Sequence, residues 1–164
     1  MSAVCTHAEG LAPVFDENSR VLILGSFPSV QSRRTSFYYG NPQNRFWKML
    51  SVYFAAPVPV TNEEKKEFVL RRGIALWDVV VSCDIEGSKD DRIRNYVPAR
   101  LEEVLFKANI KLILLNGKRA ASVFEENYKN CGTEYKVMPS TSPANPRYRY
   151  DVWEESLNGI FKIS

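Results

Sequence analysis

The feature that most constrains the fold is a set of short, unbroken apolar runs alternating with segments of helical spacing. Val21-Leu22-Ile23-Leu24 is closed by Gly25, and comparable runs cover residues 74–82 and 111–115, with a fourth strand over 134–138. A strand that is apolar on both faces must be covered on both faces, which is the condition of a strand inside a parallel sheet. The intervening stretches read as helices. Asn41-Pro42 opens one that carries Phe46, Leu50, Tyr53 and Phe54 on one face. Thr61-Asn62-Glu63-Glu64 offers a capping box for a second, ending near Gly73. Helical spacing recurs over 98–108, 117–128 and 150–163. Alternation of this kind predicts an α/β fold: three layers, αβα, around a central, mainly parallel four-stranded sheet. The expectation is one domain over residues 1–164, with 1–19 a loosely ordered N-terminal segment.

In such sheets ligands bind beyond the carboxyl ends of the strands. The loops to inspect are therefore 25–44, 82–97, 116–119 and 139–149, all of which carry Arg or Lys. The first runs Gly25-Ser26-Phe27-Pro28-Ser29 and later Phe37-Tyr38-Tyr39-Gly40-Asn41-Pro42. Small residues after a strand let backbone amides approach a ligand, and an aromatic face is a sequence-tolerant partner for a nucleobase. Phe37 reads as core. The last loop, Pro139-Ser140-Thr141-Ser142-Pro143-Ala144-Asn145-Pro146-Arg147, has the hydroxyls, fixed turns and charge of a phosphate cradle, although a solvent turn has the same composition.

Composition removes several chemistries. His7 is the only histidine, which argues against a Ser-His-Asp triad, a His-rich zinc site and a His general base. Cys5, Cys83 and Cys131 match no metal or redox spacing and read as free thiols. Asp84, Asp90 and Asp91 fit no Mg²⁺ or Ca²⁺ loop and read as a solvated turn. No metal and no cofactor are expected. The first 17 residues lack a signal-peptide pattern and no apolar run is long enough for a membrane span, so a cytoplasmic protein without membrane partners, acting as a monomer, is expected. Net charge is only +3, yet Val21 to Asn62 holds no acidic residue while containing Arg33, Arg34, Arg45 and Lys48. One part of the surface is thus expected to be positive, as binding of a polyanion requires, or else to be a neutral face with a few solvated arginines.

These loops resemble the motifs of the uracil-DNA glycosylase superfamily. Gly25-Ser26-Phe27-Pro28-Ser29 is similar to its first motif, Gly-x-(Asp/Asn)-Pro-x after the first strand. Asn41-Pro42-x-Asn44-Arg45-Phe46-Trp47-Lys48 resembles the segment that follows in mismatch-specific uracil glycosylases. Ser140-Thr141-Ser142-Pro143-Ala144-Asn145 resembles the second motif, His-Pro-Ser-Pro-x-x, which pinches the DNA backbone. With Trp77-Asp78-Val79-Val80 and Leu114-Leu115-Asn116-Gly117-Lys118 between them, the matches cover roughly residues 20–150 in order. Two positions depart from the pattern: Phe27 stands in the catalytic Asp/Asn slot, and Ser140 where many members have His. The hypoxanthine-DNA glycosylase branch also has an apolar residue in that slot and carries its essential Asn in a Tyr-x-Asn-Pro segment, which Tyr39-Gly40-Asn41-Pro42 resembles closely.

The resemblance implies a metal-free, monofunctional DNA glycosylase that flips out a deaminated base and hydrolyses its glycosidic bond. It assigns Asn41 as the catalytic amide, orienting water below C1′ or donating to the leaving base. Tyr39 would lie against the base plane, Phe27 would wall the pocket, and Ser26 would offer a donor. Asp78 aligns with a base-reading Asn of related branches, with the capping of a strand-end turn as the alternative. Asn116 is a weaker base-reading candidate, with a strand-end turn residue as the alternative, and Pro28, Ser29, Ser140, Ser142, Pro143, Asn145, Arg147 and Lys118 would meet the DNA backbone. Lys118 as a Schiff-base nucleophile has no support, because nothing in its surroundings signals a lowered pKa. Uracil in place of hypoxanthine, or a non-catalytic DNA-binding module on the same scaffold, are the competing readings.

Overall fold

The computed structural model describes residues 5–86 and 93–161. Two sheets organise it. The first is parallel, with strands β2 (Val21–Gly25), β3 (Ile74–Asp78), β6 (Leu112–Asn116) and β7 (Tyr135–Met138) in the order β3-β2-β6-β7. The second is antiparallel, with β1 (Cys5–Glu9), β4 (Val80–Glu86) and β5 (Ile93–Pro98) in the order β1-β4-β5. Helices α1 (Val30–Thr35), α2 (Phe46–Phe54), α3 (Asn62–Arg71), α4 (Glu102–Leu105), α5 (Lys118–Tyr128) and α6 (Tyr150–Phe161) complete the described chain.

The parallel sheet is the predicted one, and its burial explains why it was legible. Val21, Leu22, Ile23 and Leu24 on β2 and Ile113, Leu114 and Leu115 on β6 are wholly inaccessible, as strands covered on both faces must be. Helix α3 packs on β3, α5 on β6 and β7, and α6 on β7. The Thr61 capping box forms: Thr61 Oγ accepts from Glu64 N at 3.0 Å and Thr61 N donates to the Glu64 carboxylate at 3.3 Å. No helix among the described residues is long and apolar enough to cross a membrane.

Four expectations need correction. The run 74–82 is two strands in different sheets. Val79 is the switch: its N–H donates to Gly25 O at 2.8 Å, while its carbonyl accepts from Ala99 N at 2.8 Å. The N-terminal segment is not loose over its described part. Strand β1 pairs with β4, Gly10 N donates to Val81 O at 2.8 Å, and Val14 bridges Leu76. His7 there contacts Glu9 at 2.8 Å and Asp84 at 3.1 Å. The helix expected to open at Asn41-Pro42 begins at Phe46, because residues 41–45 form a turn instead. The segment 98–108 holds only the single helical turn α4. Asp90 and Asp91 lie outside the described residues. Asp84 is engaged by His7 and by Asn95.

Candidate active site

All four parallel strands point their carboxyl ends at one cleft of about 420 Å³. Gly25 ends β2, Asp78 ends β3 and Asn116 ends β6, while Ser140 follows β7; each lines it. The sheet thus brings together residues more than a hundred positions apart, and the cleft lies where the sheet rule places it.

The floor is formed by Asp78 and Tyr39. Asp78 is only 4 % exposed, and its Oδ2 has no hydrogen-bond partner among the described residues. Burial pushes its carboxyl up to about 7, against a backbone hydrogen bond from Gly25 that favours the charged form. The Tyr39 hydroxyl is likewise buried, and burial beside Asp78 raises its pKa against the opposing influence of the nearby Asn116 side chain. Gly25 is what lets both approach. A Cβ at that position would lie 2.6 Å from Asp78 Oδ1 and 3.2 Å from Tyr39 Oη. Beside its backbone hydrogen bond from Gly25, Asp78 thus keeps one buried oxygen without a partner beneath the cleft. A buried polar atom without a partner is costly and is a feature of sites that expect a ligand.

Tyr39 has φ 54°, in the left-handed region that side chains seldom adopt. Its neighbours hold it there. Tyr38 Oη donates to Ala12 O at 2.7 Å, and Trp47 Nε1 donates to Tyr38 O at 3.1 Å. The Tyr39 ring stacks on Phe46 at 4.0 Å between centroids. One ring face is thus taken, leaving only the other for a flat ligand. Phe37, as read from the sequence, is core. Phe27 is half-buried on the cleft wall, with the Arg33 guanidinium 5.4 Å from its ring centroid.

Asn41 lines the cleft from a turn rather than from a helix. Its Oδ1 accepts from Gln43 N at 2.9 Å, and its carbonyl accepts from Asn44 N at 2.9 Å. With the oxygen engaged in this local turn, the amide Nδ2 is the donor not spent there. Asn44 Oδ1, and not Asn41, receives the first amide of α2, Phe46 N, at 2.9 Å.

The loop after β7 is self-satisfied. Ser140 Oγ accepts from Ser142 N at 3.1 Å, and Ser142 Oγ accepts from Ala144 N at 3.2 Å. The amides of Ser142 and Ala144 are therefore occupied within the loop. What each serine retains is its hydroxyl proton, a donor suited to a phosphate oxygen. Asn145 is committed at both ends, donating to Ser140 O at 2.9 Å and accepting from Arg147 N at 3.0 Å. Ser29, similarly, caps α1 by accepting from Ser32 N at 3.1 Å. Pro28 is buried on the cleft wall. Asn145 and Ser29 hold their own loops through these bonds, while Pro28 and Ser29 also line the cleft. Pro143, Arg147 and Lys118 are exposed, with Lys118 opening α5. Ser26, half-buried, accepts from Val80 N through its carbonyl at 3.1 Å.

Sequence reasoning gave no role to Thr141 or Ser32 and left Asn116 a weaker candidate, yet these residues join the pieces. Asn116 exchanges two hydrogen bonds of 3.0 Å with the buried Thr141, one to its hydroxyl and one from its amide. Ser32, 2 % exposed, accepts from Gly40 N at 2.9 Å and so ties α1 to the Tyr39–Asn41 segment. Gly117, at φ 101°, starts α5 with room for only 3.1 Å between an added Cβ and Ser140 Cβ. Among the described residues no group of three or more His, Cys, Asp or Glu converges as metal ligands would.

A parallel sheet with a polar cleft at its carboxyl ends, walled by aromatics and flanked by a Ser-Pro loop, defines a class whose relatives are recognisable. The model of the uracil DNA glycosylase superfamily matches residues 12–156. A hypoxanthine DNA glycosylase of Methanosarcina acetivorans is 38 % identical over 152 residues, 88 % of this chain and 94 % of that protein. One from Methanosarcina barkeri is 36 % identical over 154 residues, covering 91 % and 97 %. A solution NMR structure from Methanosarcina acetivorans, described as a candidate uracil DNA glycosylase, superposes with a TM-score of 0.83 at 33 % identity, covering 94 % of this chain and 98 % of that one. The chain belongs to the uracil DNA glycosylase superfamily.

Proposed function

We propose that this chain is a DNA glycosylase that hydrolyses the bond between deoxyribose and a deaminated base, with hypoxanthine as its principal substrate. The observation that carries the reading is the unpartnered Asp78 oxygen on the cleft floor. Deamination turns the ring nitrogen beside the altered carbon from an acceptor, as in adenine and cytosine, into an N–H donor. An acceptor buried at Asp78 pairs with that N–H and is left facing a lone pair by the parent base. Sites that bury an acceptor reject ligands unable to donate to it. The similarity to two hypoxanthine DNA glycosylases favours the purine. Uracil presents the same N–H, and the name of the structural relative keeps it as the second reading.

In this reading the base leaves the stack and its plane meets the open face of Tyr39. Phe27 excludes water from the wall. The Asn41 amide supports the reaction as negative charge grows on the base or as water approaches C1′. One preorganised donor aimed at developing charge contributes ~2.7–4 kcal/mol. Ser140, Ser142, Arg147 and Lys118 hold phosphates.

The test is single-turnover incubation with duplexes carrying deoxyinosine, deoxyuridine or only normal bases, followed by alkali. Strand breaks at deoxyinosine after alkali, and an intact strand before it, are expected. Breaks at deoxyuridine alone would transfer the assignment to uracil, and none at either would remove the enzyme reading.

A further inference from the structure

Arg45 lines no part of the pocket, yet it joins the two loops that do. Its backbone N–H donates to Thr141 O at 3.0 Å. Its Nη1 donates to Ser142 O at 3.1 Å and to Asn145 O at 3.0 Å, and its guanidinium lies 5.0 Å from the centroid of the Tyr148 ring. The Asn41–Asn44 turn begins four positions earlier in the chain and ends at the residue just before it. The Asn41 carbonyl thus accepts from Asn44 N, Asn44 is covalently joined to Arg45, and Arg45 in turn donates to the carbonyls of Thr141, Ser142 and Asn145. No carboxylate among the described residues pairs with Arg45, so its charge stays unneutralised behind the loop.

We infer that Arg45 is a positioning residue that locks the Ser140–Arg147 loop to the Asn41 turn, so that engagement of phosphate and placement of the Asn41 amide occur together. The inference rests on the glycosylase reading of the cleft. A planar fork suits the task, because two carbonyls and an aromatic ring fix it in one orientation, whereas an ordinary surface arginine samples many. Both Nη1 hydrogens are spent on carbonyls, which draws the backbone of the loop inward and leaves the Ser140 and Ser142 hydroxyls lining the cleft. A phosphate pulling on Ser142 therefore pulls, through one rigid guanidinium, on the turn that holds Asn41.

Such a link is measurable as non-additivity between Arg45 and Ser142. The variants are Arg45→Met, Ser142→Ala and the two combined, with thermal melting recorded for each. The single-turnover rate on a deoxyinosine duplex and the affinity for a duplex carrying a tetrahydrofuran abasic site are the readouts. Arg45→Met is expected to slow excision by about tenfold or more, and the combined variant to be little slower than Arg45→Met alone. Arg45→Lys keeps the charge and can still donate to a carbonyl, but loses the planar contact with Tyr148. It should recover affinity for the abasic duplex and only part of the rate. If Arg45→Met fails to fold, Arg45→Lys with Ser142→Ala carries the same cycle. Wild-type rates in Arg45→Met, or losses that simply multiply in the combined variant, overturn the inference. Should the wild-type chain release no base at all, the glycosylase reading falls. The coupling is then judged on abasic-duplex affinity alone.

Discussion

A carboxylate shut away from water weighs on the native state more heavily as pH rises, and Asp78 is such a group. Its pKa is raised from the ordinary 3.8 to about 7 by burial, so the native chain holds that proton more tightly than the unfolded chain does. The stability associated with the neutral acid is fully present below about pH 4 and is lost as pH climbs through 7. The gap corresponds to roughly 4 kcal/mol at most. Asp78→Asn removes the titration, so the variant should out-melt the parent by a clearly larger margin at pH 8 than at pH 5. Tyr38 and Tyr39, raised by burial and by Asp78 itself, stay protonated over this range, and His7 titrates in both proteins alike. Catalysis should move the opposite way, since the carboxylate is the form that accepts an N–H. Excision by the parent should quicken from pH 6 to pH 8, while the Asn variant shows a flat and slower profile. Equal melting margins at both pH values would contradict the burial argument. A site that lowers stability to keep an acceptor open follows the usual trade between stability and activity.

At the scale of elements, the turn at residues 41–45 decides how Asn41 is tested. Asn-Pro is a valid helix-start signal, but here Arg45 N is claimed by Thr141 O and Phe46 N by Asn44 Oδ1, so the helix cannot begin earlier. Asn41→Asp keeps an oxygen for Gln43 N and so keeps the turn, while deleting the Nδ2 donor. We expect Asn41→Asp and Asn41→Ala to fold normally and to lower the single-turnover rate by about 10²–10³, with abasic-duplex affinity nearly unchanged. Turnover of Asn41→Asp at the parental rate would show that no amide donor is needed. The misread helix start marks the limit of what the sequence discloses. Strands β2 and β6 were legible because burial on both faces writes itself as an unbroken apolar run. Strand β1, by contrast, is short and carries exposed Thr6, His7 and Glu9 beside buried Ala8, and nothing in the composition around Val79 marks a change of sheet. In the site, Gly25, Asp78 and Asn41 stood out as strand-end or motif residues. Arg45, Ser32 and the Asn116–Thr141 pair act through contacts set by the tertiary fold, which no local period encodes.

Across the whole molecule the two poles of the parallel sheet differ in kind. At the carboxyl ends lie the cleft, Lys118 and Arg147. At the opposite ends, just before β2 and β3, a groove mixes acidic Asp16, Glu63 and Glu67 with basic Arg20, Lys66 and Arg71. A net charge of +3 hides this asymmetry, because binding of DNA depends on where cations can neutralise phosphates and on the counterions they release. Each phosphate contact contributes about −0.9 to the slope of log affinity against log salt on duplex DNA. Lys118 opens α5, where the N-terminal end of the helix dipole also favours an anion, and Arg147 sits on the exposed end of the Ser-Pro loop. Replacing both by Ala should therefore make the slope shallower by about 2, and should weaken inosine-containing and normal duplexes alike, since phosphate contacts carry no base information. Lys66→Ala with Arg71→Ala removes the same charge from the other pole and should leave the slope where it was. Titrations between 50 mM and 200 mM salt span the useful range. Equal effects from the two pairs would mean that DNA responds to net charge alone, and the cleft would lose its standing as the DNA-binding pole.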